Sequence, residues 1–193
     1  MAEAADLPVI RQISSRLVYE NAWLSVREDG IERPDGSHGI YGVIDRPDFA
    51  VVIAAERGGF HLVDQYRYPL LGRYWEFPQG CFPGRRDGDA LELAHRELAE
   101  ETGLRAGSMV PLGRLAAWHG ASGQMCTVFL ATDLVQGEPE REHEEQDMRH
   151  RWCSRAEFEA LIRSGGIRDN TTVSAYMLLR LHEEEGGGTR CLE

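Results

Sequence analysis

Apolar residues along this chain follow a period of two through its first half and a helical spacing only later. From Leu17 to Ile44 three runs, L-V-Y, W-L-S-V and G-I-Y-G-V-I, read as strands, with Pro34-Asp35-Gly36 as the turn between the last two. Residues 1–12 ahead of them read as a frayed arm. Phe49 to Ala55 is a nearly continuous apolar run, F-A-V-V-I-A-A, the pattern of a strand covered on both faces. Glu56 to Gly59 supplies a turn, F-H-L-V-D-Q-Y-R-Y the returning strand, and Tyr74 to Phe77 a third, short one. Gly80 to Gly88 reads as a loop. The spacing then changes: Asp89 to Thr102 predicts a helix with Leu91, Ala94 and Leu98 as its apolar stripe, closed by Gly103. Strands follow at Met109 to Trp118, Met125 to Thr132 and Met148 to Cys153, the last two separated by a very acidic loop from Gln136 to Asp147. Ser154 and Glu157 have capping-box spacing ahead of Phe158, Leu161 and Ile162, and a final helix runs from about Thr171 to His182.

This order predicts an α+β fold: a β-rich N-terminal arm and extension over 1–47, one main domain over 48–183 and a polar, disordered tail over 184–193. No internal repeat interrupts it, and 193 residues are enough for one well-buried domain. No run of about 18 apolar residues predicts a membrane span, and the N-terminus lacks the pattern of a secretory signal, so the expected compartment is the cytoplasm. The net charge of -11 argues against a general nucleic-acid binder, because such binding rests on phosphate neutralisation by Lys and Arg. It leaves room for a small phosphate-bearing substrate if bound cations bridge the like charges. Cys81, Cys126, Cys153 and Cys191 form no C-x-x-C pair, and the seven histidines are scattered. The cysteines therefore read as buried or incidental thiols, not as a zinc or redox site.

The chemistry concentrates in R-E-L-A-E-E-T-G-L, Arg96 to Leu104. On a helix Glu97 and Glu101 stack one turn apart, with Glu100 about 60° to one side and Glu101 at the edge of the apolar stripe. Three acids this close repel one another unless a cation sits among them, and hard carboxylate oxygens suit Mg²⁺ or Mn²⁺. Three glutamates alone are more often a solvated helix face. The flanking Arg96, the helix stop at Gly103 and the preceding glycine loop favour a site.

Those nine residues resemble the second half of the Nudix box, R-E-U-x-E-E-x-G-U with U aliphatic, at every fixed position, and W-E-F-P-Q-G ending at Gly80 resembles the strand that leads into it. The resemblance extends over roughly residues 48–182, where G-I-R-D-N-T also looks like the ADP-ribose pyrophosphatase branch. Two departures stand out. The loop from Gly80 to Arg96 is about two residues longer than the family pattern. Gly88 stands where a glutamate is usual, with Asp87 or Asp89 as substitutes. F-P-Q-G is reminiscent of dinucleoside polyphosphate hydrolases, F-P-A-G being more usual for ADP-ribose, and no proline follows the box where that branch commonly has one.

The resemblance implies an α/β/α sandwich with a mixed sheet and metal-dependent cleavage of the pyrophosphate in a nucleoside diphosphate derivative. ADP-ribose is the leading substrate, to AMP and ribose 5-phosphate; nucleotide sugars or dinucleoside polyphosphates are the alternatives. It implies Glu97 and Glu101 as metal ligands, Glu100 as a further ligand or bridge, and the backbone carbonyl of Gln79 as another. Arg96 would hold the acids, and Glu145 or Glu144 in the acidic loop would act as general base. Arg67, Trp75, Glu76 and Arg46 are the substrate-binding candidates, Trp75 being equally readable as a core residue. Tyr19 and Arg46 lie in a segment that similar enzymes use for a homodimer. Two other readings remain: a non-catalytic Nudix-fold nucleotide sensor, and a binding module of another fold with an acidic interaction helix.

Overall fold

The computed structural model describes residues 9–85, 88–139 and 147–186. Two sheets account for the strands. The first is an antiparallel ribbon of β1 (Arg11–Glu20), β2 (Ser25–Glu32) and β3 (His38–Asp45), in that order. The second contains β4 (Phe49–Glu56), β5 (Gly59–Arg67), β6 (Gly72–Glu76), β7 (Gln79–Gly80), β8 (Leu104–Ala116), β9 (Met125–Gln136) and β10 (Arg149–Ser154), along the path β10-β5-β4-β9-β8 with β6 beside β5 and β7 beside β4. Only β4 and β9 run parallel among its pairs, so the sheet is mixed.

The apolar run predicted to be covered twice is β4, and its alternation separates two cores. Val51 and Ile53 face Phe60, Phe77, Phe158, Ala175 and Leu179, under α2 (Arg155–Ser164) and α3 (Asn170–Glu184). Ala50, Val52 and Ala54 face Leu93, Ala94 and Leu98 of α1 (Ala90–Thr102). Helices on both faces of a mixed sheet make the expected α+β sandwich. Edge-on aromatic contacts lock the first core, with Phe60 at 5.7 Å from Phe77 and 5.2 Å from Phe158 between ring centres. No helix among the described residues is long and apolar enough to cross a membrane.

Local signals account for the helix ends. Asp89 caps α1 by accepting from the Glu92 N–H, Gly103 closes it in the left-handed region, and Ser154 with Glu157 forms the complete capping box of α2. Three expectations need correction. β1 begins at Arg11, inside the segment read as an arm. Its first half, R-Q-I-S-S-R, carries no burial pattern; the β2 ladder and pairs such as Arg11–Glu32 and Arg16–Glu28 hold it instead. β8 begins at Leu104, directly after the helix cap, where the polar L-R-A-G-S stretch hid it. In α1 the exposed Leu91 is not part of the core stripe; Leu93 is. At about 100° per residue, that exchange turns the buried stripe so that Glu101 lies in its middle, not at its edge.

Candidate active site

The site forms where the main sheet divides. β4 and β5 pair only from Ala54 to Glu56 and from Gly59 to His61, then separate, and β6 and β7 fill the wedge between them. A cleft of about 510 Å³ opens there, and Arg46, Arg67, Tyr74, Glu76, Gln79, Gly80, Arg168 and Asp169 contribute to its lining. That volume lies within the usual range for small-molecule sites.

Glu76 and Arg67 form one unit. Arg67 Nε donates to Glu76 Oε2 at 3.1 Å, and Arg67 Nη2 bonds Glu76 Oε1. Glu76 is 2% exposed. Burial pushes its carboxyl up to about 7, against the pull of the Arg67 charge and hydrogen bond; the nearby Asp169 adds to the rise and a hydrogen bond from Gln79 opposes it.

Glu97 and Glu101 are both buried, and they approach β7 from the α1 side without lining the cleft. The Gln79 N–H donates to Glu101 Oε2 at 3.2 Å. Glu97 lies so close over Gly80 that a Cβ on that residue would stand 2.3 Å from Glu97 Oε2, so only glycine permits the approach. Gln79–Gly80 is thus the wall between the carboxylate pair and the cleft. Glu100 is half-buried on the neighbouring face of α1 and accepts from Arg96 Nε at 2.8 Å. Arg96 therefore bonds Glu100, one turn ahead of it.

Two buried carboxylates facing a strand backbone offer hard oxygen donors, and that chemistry fits a divalent cation. Among the described residues no three His, Cys, Asp or Glu side chains are close enough to hold an ion together. The fitting set is therefore two carboxylates with backbone oxygen.

Of the remaining candidates, Arg46 borders the cleft and Trp75 does not. Alternation along β6 puts Tyr74 and Glu76 in the cleft and turns Trp75 to the opposite face, where it packs on the first core with the Arg151 guanidinium 4.6 Å above its ring. Of the two roles the sequence left open for Trp75, its packing here is that of a core residue. Glu144 and Glu145 lie outside the described residues, as does Asp87. Asp89 is committed to its cap, and a Cβ on Gly88 would stand 2.3 Å from Phe82 Cε2, so the ring of Phe82 occupies the direction a glutamate side chain needs.

Residues 166–172, which include the G-I-R-D-N-T element of the resemblance, supply a part of the site to which the sequence assigned no residue. Asp169 caps α3, accepting from the N–H groups of Thr171 and Thr172. Its Oδ2 also accepts from Gln79 Nε2 at 3.0 Å, and Thr172 Oγ1 accepts from the buried Phe77 N–H at 3.0 Å. Arg168 lies over the Tyr74 ring, 4.9 Å from its centre, and donates to the Tyr74 hydroxyl. The available signal was Asp169 itself, an N-cap residue type just before the last apolar stripe.

Comparison with known proteins places this arrangement. Residues 45–173 match the model of the NUDIX domain, and residues 10–44 that of the nucleoside diphosphate sugar hydrolase N-terminal domain. The chain belongs to the Nudix family. It is a Nudix pyrophosphohydrolase. It is 31% identical over 167 residues to the ADP-ribose pyrophosphatase of Mycobacterium tuberculosis (strain ATCC 25618 / H37Rv), covering 86% of this chain and 80% of that protein. With the ADP-ribose pyrophosphatase of Bacillus subtilis (strain 168) it shares 25% identity over 175 residues, 90% of this chain and 94% of that one. The crystal structure of an ADP compounds hydrolase superposes with a TM-score of 0.79 at 20% identity, over 94% of this chain and 97% of the other, and so shares the fold. Within the Nudix frame, the helix carrying the box is α1 and the glycine that opens it is Gly80.

Proposed function

We propose that this Nudix protein hydrolyses ADP-ribose to AMP and ribose 5-phosphate with Mg²⁺ or Mn²⁺. The observation that carries the reading is the convergence of two buried carboxylates, Glu97 and Glu101, on the Gln79–Gly80 backbone beside an arginine-lined cleft. Two relatives that bear the name ADP-ribose pyrophosphatase support the choice of substrate.

Pyrophosphate cleavage requires neutralised phosphate oxygens, an activated water and in-line geometry. Glu97, Glu101 and the Gln79 carbonyl would hold the cation, with Glu100 as a further ligand or bridge. When bound, the ion supplies charge neutralisation and lowers the pKa of water. Arg96 keeps Glu100 oriented through their hydrogen bond. Arg67 and Arg46 take the phosphates from the cleft side, and Glu76 holds Arg67 in position by two hydrogen bonds or accepts from a ribose hydroxyl. Glu145, or Glu144 beside it, takes the proton from the attacking water.

A nucleotide sugar is the second reading, favoured by the match of residues 10–44 to the N-terminal domain of nucleoside diphosphate sugar hydrolases. The same segment, residues 1–47, is proposed to form a homodimer. Its large apolar side chains support this, Trp23 being 65% and Ile40 70% exposed.

The test is phosphate release from ADP-ribose, nucleotide sugars and diadenosine polyphosphates, with Mg²⁺ or Mn²⁺ and alkaline phosphatase as the coupling enzyme. Turnover of ADP-ribose above the rest, lost by orders of magnitude in Glu101→Gln, is the expected result. Preference for a nucleotide sugar moves the assignment to that class. Silence across the panel with retained ligand binding makes the protein a nucleotide sensor.

A further inference from the structure

Gln79 occupies both sides of the wall described above. Its N–H donates to Glu101 Oε2 at 3.2 Å on the carboxylate side, while its side-chain Nε2 donates to Asp169 Oδ2 at 3.0 Å on the cleft side. Asp169 is in turn fixed by the first turn of α3: its Oδ2 accepts from the Thr172 N–H and the Thr172 hydroxyl, each at 2.7 Å. The same threonine oxygen accepts from the Phe77 N–H at 3.0 Å. The strand segment from Phe77 to Gln79 is therefore fastened to α3 at two points, one through backbone and one through the Gln79 amide. A 15-residue helix is a rigid anchor, whereas β7 is only two residues long.

We propose that the Gln79 side chain is a positioning group that, by bonding Asp169 at the N-terminus of α3, fixes the Gln79–Gly80 backbone against Glu97 and Glu101 and so sets the cation affinity of that pair. The proposal rests on the reading of those carboxylates as the cation site. Two physical features support it. The amide is neutral, so it bridges to Asp169 without adding charge beside two buried acids. A small apolar residue at position 79 would leave the strand tied to α3 through Phe77 alone. Groups that orient metal ligands from behind commonly change affinity by about 10- to 100-fold when removed.

The test is a double-mutant cycle read by Mn²⁺ titration calorimetry on the full-length protein. Gln79→Leu deletes the amide and keeps the backbone. Asp169→Ser keeps an oxygen that caps α3 but is too short to reach Gln79 as well. Each substitution is expected to weaken Mn²⁺ binding about tenfold, and the double variant no further, because the bridge is already gone. The Mn²⁺ concentration giving half-maximal rate should rise by the same factor. Asp169→Asn, which keeps a carbonyl oxygen for the Gln79 amide, should retain most of the affinity.

Unchanged Mn²⁺ affinity in Gln79→Leu, or losses that add in the double variant, overturn the proposal. If Gln79→Leu fails to fold, Asp169→Ser against Asp169→Asn decides alone, and equal affinity in those two overturns it. Glu101→Gln separates this inference from its premise. Wild-type Mn²⁺ affinity in that variant removes the cation reading itself, whereas lost binding there with intact binding in Gln79→Leu removes only the positioning role.

Discussion

Gly80 is the residue at which folding and chemistry separate most cleanly. Its absent Cβ leaves room for the Glu97 carboxylate, and the clash an alanine creates is with Glu97 Oε2, the far end of a flexible side chain. The helix can therefore keep its packing while the carboxylate swings away. Gly80→Ala is expected to unfold within about 1 kcal/mol of wild type yet lose about 10- to 100-fold in Mn²⁺ affinity. Thermal unfolding with titration calorimetry checks both halves, and a large stability loss with intact affinity contradicts this account.

Glu76 makes the complementary point about charge. Its carboxyl titrates near 7 in the folded protein against an ordinary value of 4.5. The folded state thus holds a proton that the unfolded chain has released across that interval. The associated stability is fully present below about 4.5 and is lost as pH rises through about 7. In chelator-treated protein, the unfolding free energy should fall over that window by an amount on the order of a few kcal/mol. Glu76→Gln, neutral throughout, should flatten the fall. Parallel curves for the two proteins would place the titrating group elsewhere.

At the scale of elements, what was legible in the sequence is what burial writes into it. β4 was readable because both of its faces are covered, and α2 because Ser154 and Glu157 satisfy each other locally. The Arg96-to-Leu104 run located the chemistry because carboxylates one turn apart on a helix face carry a spacing that survives without a structure. The misses share a cause. β1 is held by ladder bonds and exposed ion pairs and the start of β8 by ladder bonds, which leave no apolar period. The stripe of α1 was misplaced because Glu97 and Glu101 are themselves buried, and a hydrophobicity pattern counts a buried acid as surface. Arg67–Glu76 and Gln79–Asp169 join residues distant in sequence or separated by a turn. Of these, Asp169 was hidden behind its role as a cap. Trp75 stayed open between core and substrate in the sequence because side-chain direction along a five-residue strand depends on which face the divided sheet presents.

Over the whole molecule, the N-terminal ribbon is the part whose surface a single chain leaves unexplained. All ten residues of β1 are exposed, it is an edge strand, and Leu17, Val18 and Tyr19 on it are each more than half exposed. An edge with this much apolar surface invites pairing unless it is covered. Burying each such side chain contributes about 1.5–3 kcal/mol, so several together are comparable with the roughly 4–15 kcal/mol that association costs in lost freedom. The ribbon is tied to the turn between β8 and β9, where Tyr41 Oη donates to Gly120 O at 2.8 Å and the Ile44 N–H to Ala121 O at 2.8 Å, and Arg46 in the cleft follows directly after β3. Sedimentation should therefore give about twice the 21.7 kDa chain mass at micromolar concentration. Val18→Glu with Ile40→Glu should give single chains, and Met177→Glu, on the exposed face of α3, should not. If the partner's ribbon steadies Arg46, the single-chain variant raises KM more than it lowers kcat. A wild-type protein that sediments as one chain removes the dimer, and equal kinetics in monomer and dimer confine the ribbon to assembly without a share in the cleft.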